Sequence, residues 1–297
     1  MRKQLTLAAL LVSTTTFAGS IDQPVVGGTT VAFGKYPDVA LVVAPMALCT
    51  GTLIAPDVVL TAGHCIDTEP KEVLLGSVDY TKPGGELIAV KSATAYPAWE
   101  SSFDVGVLVL DHVSKAKPRA IASACTAKDL QVGNDVEVVG FGLTTASGTG
   151  DNTKLHRAAL TVRDPKCTTD ESCIAKVAPN GEFIAGGDGV DACFGDSGGP
   201  IYLDDALIGV VSRGMADGGT KPCGGGGIYV RADRVASWIE TTTHRKVTRA
   251  ACDAPADAPA DAAEDDAGGC SATGGAAGWL ALALVVAAAL VLARRSA

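Results

Sequence analysis

The sequence predicts an all-β domain, a sandwich or barrel, on three observations. Short β-rich runs recur over residues 25–243, turns rich in Gly, Pro and Asp separate them, and no helical run intervenes. In chain order the runs are 39–44, 58–62, 73–75, 87–95, 105–110, 136–141, 155–162, 207–212 and 228–230. Each is dominated by Val, Leu, Ile or Ala and ends at a residue that breaks the extended pattern. The one soluble helix is expected from Arg231 to about Thr243, where Val235, Trp238 and Ile239 share a face at i, i+3, i+4. It is expected to pack as a C-terminal brace.

Composition supports this and removes other classes. Of 297 residues 35 are glycine, which suits many turns, and the length buries a core without metals or staples. Any disulfides are then extra bracing. The net charge of −9 draws on residues 250–293, which carry six acids (Asp253, Asp257, Asp261, Glu264, Asp265, Asp266) and no base. A nucleic-acid binder needs a basic face, so that class is excluded.

The two ends read as targeting segments. Residues 1–20 combine the basic start Met1-Arg2-Lys3, an apolar run from Leu5 to Val12 and small residues at Ala18-Gly19-Ser20, the pattern of a secretory signal peptide. The apolar run is too short to span a bilayer. Residues 21–24 remain as a short propeptide ahead of the domain at 25–247. Export places the nine cysteines in an oxidising compartment, and an odd number leaves one over. Residues 248–270 form an Ala/Pro/Asp-rich linker, too apolar-poor to order itself. Within 271–297 the uncharged stretch from Ala276 to Ala293, with Trp279 and Arg294-Arg295 at its borders, is just long enough to cross a membrane.

Three segments carry the chemistry: Thr61-Ala62-Gly63-His64-Cys65, Ser102-Phe103-Asp104-Val105-Gly106, and Gly195-Asp196-Ser197-Gly198-Gly199-Pro200. A serine hydroxyl is a poor nucleophile at neutral pH, so it needs a neighbouring base and a group holding that base in one tautomer. His64 supplies the base, Asp104 the orienting acid and Ser197 the nucleophile. Gly-x-Ser-x-Gly also fits the nucleophile elbow of α/β hydrolases, but there the acid and His follow the Ser. Here only His244 does, and the βαβ pattern is missing. His112, His156 and His244 show no metal-ligand spacing and are expected at the surface; no catalytic metal or cofactor is implied.

Taken together, the three segments in this order resemble the chymotrypsin-type, trypsin-like serine endopeptidases, over some 220 residues from Val25. The resemblance implies two packed six-stranded antiparallel β-barrels with a C-terminal helix, and an oxyanion hole made by the N–H groups of Gly195 and Ser197. Val25-Val26-Gly27-Gly28 resembles the mature N-terminus, whose freed amine pairs with Asp196, so a zymogen is implied. Pro24 stands where Arg or Lys is usual, which points to an external activating protease. Asp191, six before the nucleophile, matches the acid that selects Lys or Arg at the cleaved bond. Gly214 and Gly227 match open pocket walls, and Ser212 matches the start of the strand that pairs with substrate. Arg213 departs from the usual Trp, so the apolar shelf is in doubt and acidic substrate neighbours are favoured instead. Phe194 is expected to crowd the pocket entrance. Ser77 stands where the family's calcium loop has an acid, so no calcium site is expected.

The resemblance also implies the disulfides Cys49–Cys65 and Cys193–Cys223. Cys167 finds Ile184 where its distant partner belongs, and Cys173 is the substitute six residues on. Cys125 and Cys252 remain, a pairing the sequence leaves open, and Cys270 stays unpaired. Gly268-Gly269-Cys270, a Gly/Ala bridge, one apolar span and Arg294-Arg295 resemble the C-terminal sorting tails of myxobacterial surface proteins (MYXO-CTERM). The expected protein is an exported, surface-anchored or released endopeptidase acting on proteins or peptides; a catalytically silent protease-like binding module is the contrasting expectation.

Overall fold

Residues 25–215 and 221–252 are described by a computed structural model. The expected signal peptide, propeptide, most of the linker and the transmembrane tail with Cys270 lie outside these residues. Among the described residues no helix is long and apolar enough to cross a membrane.

The strands are β1 (Thr29–Thr30), β2 (Val39–Val43), β3 (Leu48–Ala55), β4 (Val58–Thr61), β5 (Glu72–Leu75), β6 (Glu86–Ala95), β7 (Gly106–Leu110), β8 (Asp135–Gly140), β9 (His156–Asp164), β10 (Glu182–Ala185), β11 (Pro200–Leu203), β12 (Ala206–Gly214) and β13 (Gly227–Arg231). A single-turn helix, α1 (Gly63–Ile66), follows β4, and α2 (Ala232–Thr243) follows β13. Strands β2-β3-β4-β7-β6-β5 close into one six-stranded antiparallel barrel. The order β9-β10-β13-β12-β11-β8, with β8 also pairing β9, closes the second. Strand β1 adds a two-residue ladder to the edge of β9.

Period-two alternation explains why the barrels both fill and adhere. Along β2, Ala40 and Val42 join Leu53, Val59, Leu75 and Leu108 in the core of the first barrel. Their alternates Val39 and Leu41 face the other way, into a shared seam with Val139, Phe141, Tyr202 and Val210 of the second barrel. Helix α2 seals the same seam with Val235 and Ile239, two of the three residues on the expected face. Trp238 packs against it from the half-buried side.

Strands β3, β10 and β11 have no counterpart among the expected runs. Strand β3 hides because Thr and Gly interrupt its apolar residues; Gly51 is there because a Cβ would sit 2.6 Å from Val59. Strand β10 is short and opens on an acid, and β11 opens on Pro200 at the end of the nucleophile motif.

Four disulfides brace the fold: Cys49–Cys65, Cys125–Cys252, Cys167–Cys173 and Cys193–Cys223. The pairing of Cys125 with Cys252, left open by the sequence, therefore forms. Residues 248–252, the start of the expected linker, lie along Ile121 through its N–H to Thr248 O at 2.9 Å and Ala250 N–H to Ile121 O at 2.8 Å.

Candidate active site

The first barrel carries the expected base, His64, and its expected orienter, Asp104. His64 sits on α1, which the Cys49–Cys65 bridge ties to β3, and the nearly buried Asp104 precedes β7. The His64 main-chain N–H donates to Asp104 Oδ1 at 2.9 Å, and its Nδ1 lies 2.9 Å from Oδ2. Ser212 Oγ donates to the same Oδ2 at 2.7 Å. Burial works against the charge on Asp104, but the bonds and charge of His64 and the Ser212 hydroxyl outweigh it and hold the carboxyl below its ordinary value. An ionised carboxylate only accepts, so Nδ1 carries the proton and Nε2 is left to act as a base.

The second barrel carries Ser197, the expected nucleophile. Ser197 is half-buried on the loop between β10 and β11 and lines one cavity of about 290 Å³ with His64, Ser212, Arg213 and Gly214. His64 and Asp104 are joined by a formed hydrogen bond, whereas Ser197 meets His64 only as a fellow lining residue of this cavity. On the same loop the N–H groups of Asp196, Gly198 and Gly199 are taken by backbone carbonyls, whereas among the described residues those of Gly195 and Ser197 have no acceptor. Donors left without an acceptor are what a developing oxyanion needs. The turn exposing them requires glycine at 195, whose φ is +102°.

A strand of the first barrel fixes that loop. Fully buried Thr50 on β3 donates from Oγ1 to Gly195 O at 2.8 Å and accepts there from Phe141 N–H at 3.1 Å, while its own N–H donates to Ser197 O at 2.9 Å. Nothing in the sequence singled out Thr50. Its signal was faint: one Thr beside the Cys that braces the His64 turn.

Two further carboxylates are fully buried, and among the described residues their hydrogen-bond partners are neutral. Asp196 accepts from Gly142 N–H at 2.8 Å and Cys193 N–H at 2.9 Å, and a Cβ on Gly142 would lie 2.2 Å from Oδ2. Desolvation, with a smaller push from Asp191, raises its carboxyl to about 7. Asp191 accepts from the N–H groups of Gly224 and Gly226 at 3.1 and 3.2 Å and from the Tyr229 hydroxyl at 3.4 Å; burial raises it to about 6. Gly227 leaves room chiefly for Tyr229, whose hydroxyl a Cβ there would meet at 2.4 Å, and then for Asp191 Oδ1 at 3.2 Å; among the described residues a Cβ on Gly214 would meet Pro222 O at 3.6 Å. Val25 is fully buried with φ of 45°, a costly value for a β-branched residue, and Asp191 N–H donates to Val26 O at 3.0 Å.

Two expectations are corrected. Arg213 does not offer a free charge to acidic substrate neighbours: it forks onto Glu182 at 2.8 and 3.0 Å, and that acid, which the sequence analysis did not single out, is fully buried. His156 is not a surface residue but 1% exposed, because it begins β9 on the inward side shared with Ala158 and Leu160. Among the described residues its Nδ1 has no partner, and burial lowers its pKa to about 4. His112 and His244 are exposed. Phe194, 60% exposed, stands at the rim between the Ser197 cavity and a neighbouring one lined by Met46 and Leu143. The sulfurs of Cys49 and Cys65 lie near His64 in metal-ligand range, but both are consumed by their disulfide.

Comparison with known proteins agrees with this geometry. Residues 25–239 match the family model described as Trypsin. A trypsin of Saccharopolyspora erythraea is 31% identical over 70% of this chain and 92% of its own length. Glucanase inhibitor protein 3 of Phytophthora infestans is 30% identical over 67% of this chain and 79% of its own. Among solved structures, neuropsin, a serine protease expressed in the limbic system of mouse brain, superposes with a TM-score of 0.62 at 27% identity, over 73% of this chain and 98% of that one.

Proposed function

The chain belongs to the trypsin family of serine proteases, and from that membership we propose that it is an exported endopeptidase, made as a zymogen, that cuts after Arg or Lys. The observation that carries the catalytic reading is the formed His64–Asp104 bond beside a cavity shared with Ser197, on a loop where the N–H groups of Gly195 and Ser197 have no acceptor among the described residues. Ser197 Oγ attacks the substrate carbonyl as His64 Nε2 takes its proton, and the carbonyl oxygen, now an anion, accepts from the N–H groups of Gly195 and Ser197. Each such donor contributes roughly 3 to 4 kcal/mol. His64 then protonates the leaving amine, and water, activated by His64, releases the acyl group from Ser197.

Specificity and activation rest on the two buried carboxylates. A buried charge is tolerated when a counter-charge meets it, and among the described residues neither Asp191 nor Asp196 has a cationic partner. A substrate Arg or Lys reaching past Gly214 and Gly227 matches Asp191. The amine freed by cutting between Pro24 and Val25 matches Asp196, and cutting there also removes the strained φ at Val25. Pro24 makes self-activation unfavourable, so another protease is the activator. Four disulfides suit an extracellular setting. The tail with Cys270 anchors the enzyme at the surface until it is cut, in keeping with the likeness to myxobacterial sorting tails.

The second reading, a silent binding module, draws on the family relative named as a glucanase inhibitor, but His64, Asp104 and Ser197 are all present here. The test is N-terminal sequencing of the exported protein together with cleavage of a peptide library and labelling by a fluorophosphonate. A chain starting at Val25 that labels on Ser197 and cuts after Arg or Lys supports the proposal. If such a chain neither labels nor cuts, the module reading takes its place.

A further inference from the structure

Arg213 follows Ser212 on β12 and forms part of the cavity wall beside His64 and Ser197. A guanidinium carries five N–H donors in one plane. Here each has an acceptor. Nε donates to Ser172 O at 3.2 Å; Nη2 donates to the same carbonyl at 2.6 Å and to Glu182 Oε2 at 3.0 Å; Nη1 donates to Glu182 Oε1 at 2.8 Å and to Ser212 Oγ at 3.0 Å. Glu182 is fully buried on β10 and takes a further bond from Ile174 N–H at 2.9 Å, and Ser172 belongs to the short loop closed by Cys167–Cys173. The guanidinium is therefore neutralised and anchored on two sides, with no donor left for a substrate.

One of these bonds reaches the reacting groups. The Ser212 hydroxyl has a single proton and sits between Arg213 and Asp104. Arg213 Nη1 fills its acceptor side, so the proton is directed onto Asp104 Oδ2, 2.7 Å away. Asp104 Oδ2 in turn holds His64 Nδ1. Without the Nη1 donor the hydroxyl is free to rotate, and one of the two bonds orienting Oδ2 loosens.

We propose that Arg213, anchored on buried Glu182 and the Ser172 carbonyl, is a positioning residue for proteolysis that acts through the Ser212 hydroxyl to hold Asp104 and His64 in attacking geometry. This rests on the proteolytic reading above. Two variants separate geometry from folding. Arg213→Lys keeps the charge facing Glu182 but loses the planar fork. Arg213→Met with Glu182→Gln removes both charges and leaves no buried ion unpaired.

In the full chain processed to Val25, both should lower kcat about tenfold while KM stays within about twofold, the signature of an interaction felt only in the transition state. Placed in a Ser212→Ala background, the same substitutions should cost less than about twofold, because the hydroxyl through which they act is gone. The proton resonance of His64 Nδ1–H, recorded with Ser197→Ala present, should shift in Arg213→Lys. Unchanged kcat, an undiminished loss in the Ser212→Ala background, or an unmoved resonance would each overturn the proposal. Failure of the wild-type protein to label with a fluorophosphonate would sink the proteolytic reading instead, and the resonance would then decide the role of Arg213 by itself.

Discussion

Cutting the chain after Pro24 should be felt first at Asp196, and the size of the effect follows from its burial. In the uncut chain its carboxyl is fully buried, holds two neutral N–H donors and is pushed from 3.8 up to about 7. A carboxyl raised on folding stabilises while it is protonated: its contribution is complete below about pH 4 and is lost as pH climbs through about 7. Some three pH units at ~1.4 kcal/mol each give a loss of roughly 4 kcal/mol by pH 8. In the processed chain the Val25 ammonium meets the ionised carboxylate and most of that loss disappears. The assay is thermal unfolding from pH 4.5 to 7.5 of uncut and cut chains, both carrying Ser197→Ala to prevent self-digestion. His156, lowered to about 4, titrates in both forms and cancels in the difference, as does Asp191, raised to about 6, apart from its small push on Asp196. The gap in Tm should move in favour of the cut chain by roughly 10 °C across that range, taking a few degrees per kcal/mol. Parallel curves would show that the new amine does not reach Asp196, and the activation argument would fall with them.

Three further outcomes are expected. Thr50→Val keeps the volume but strands Phe141 N–H and Gly195 O, costing about 1–3 kcal/mol in stability and lowering kcat; Thr50→Ser should restore both, read by denaturant melts and steady-state kinetics. Gly142→Ala drives a Cβ to 2.2 Å from Asp196 Oδ2, so it should cost about 1–3 kcal/mol and abolish fluorophosphonate labelling by displacing the Ser197 loop. His156, whose pKa falls from 6.5 to about 4 on folding, contributes stability that is complete above about pH 6.5 and is lost as pH falls to about 4. His156→Leu should therefore flatten the acid side of the Tm profile, and an unchanged profile would contradict its buried, unpartnered state.

The sequence carried the reacting groups more legibly than their supports. The segments around His64, Asp104 and Ser197 are each ordinary alone and become legible through their joint occurrence in that order, and runs such as the one at 105–110 are apolar enough to read as strands unaided. Strand β3 was illegible because close packing imposes Gly51 and polar threonines on it, and β10 because four residues opening with an acid carry no periodicity. Glu182 escaped notice for the same reason that it matters: its partner, Arg213, lies 31 residues away and meets it only through the β10-β13-β12 order of the second barrel. His156 misled because polar, exposed or half-buried residues, Asp151 to Lys154, lead up to it, while the residue itself is the first of a strand whose inward face starts there. Local signals report local structure; the seam between barrels is nowhere local.

The Cys125–Cys252 bridge has a mechanical consequence. It closes a covalent ring around every residue between them, which includes the second barrel's strands β8 to β13 and α2. A pull on the chain beyond Cys252 passes through the bridge to Cys125, so it bypasses α2 and the strands that hold Ser197. Such a domain can be dragged or sheared by its C-terminal side without its last helix being peeled from the seam. Reduction of that one bond would turn the same pull into an unzipping force on α2.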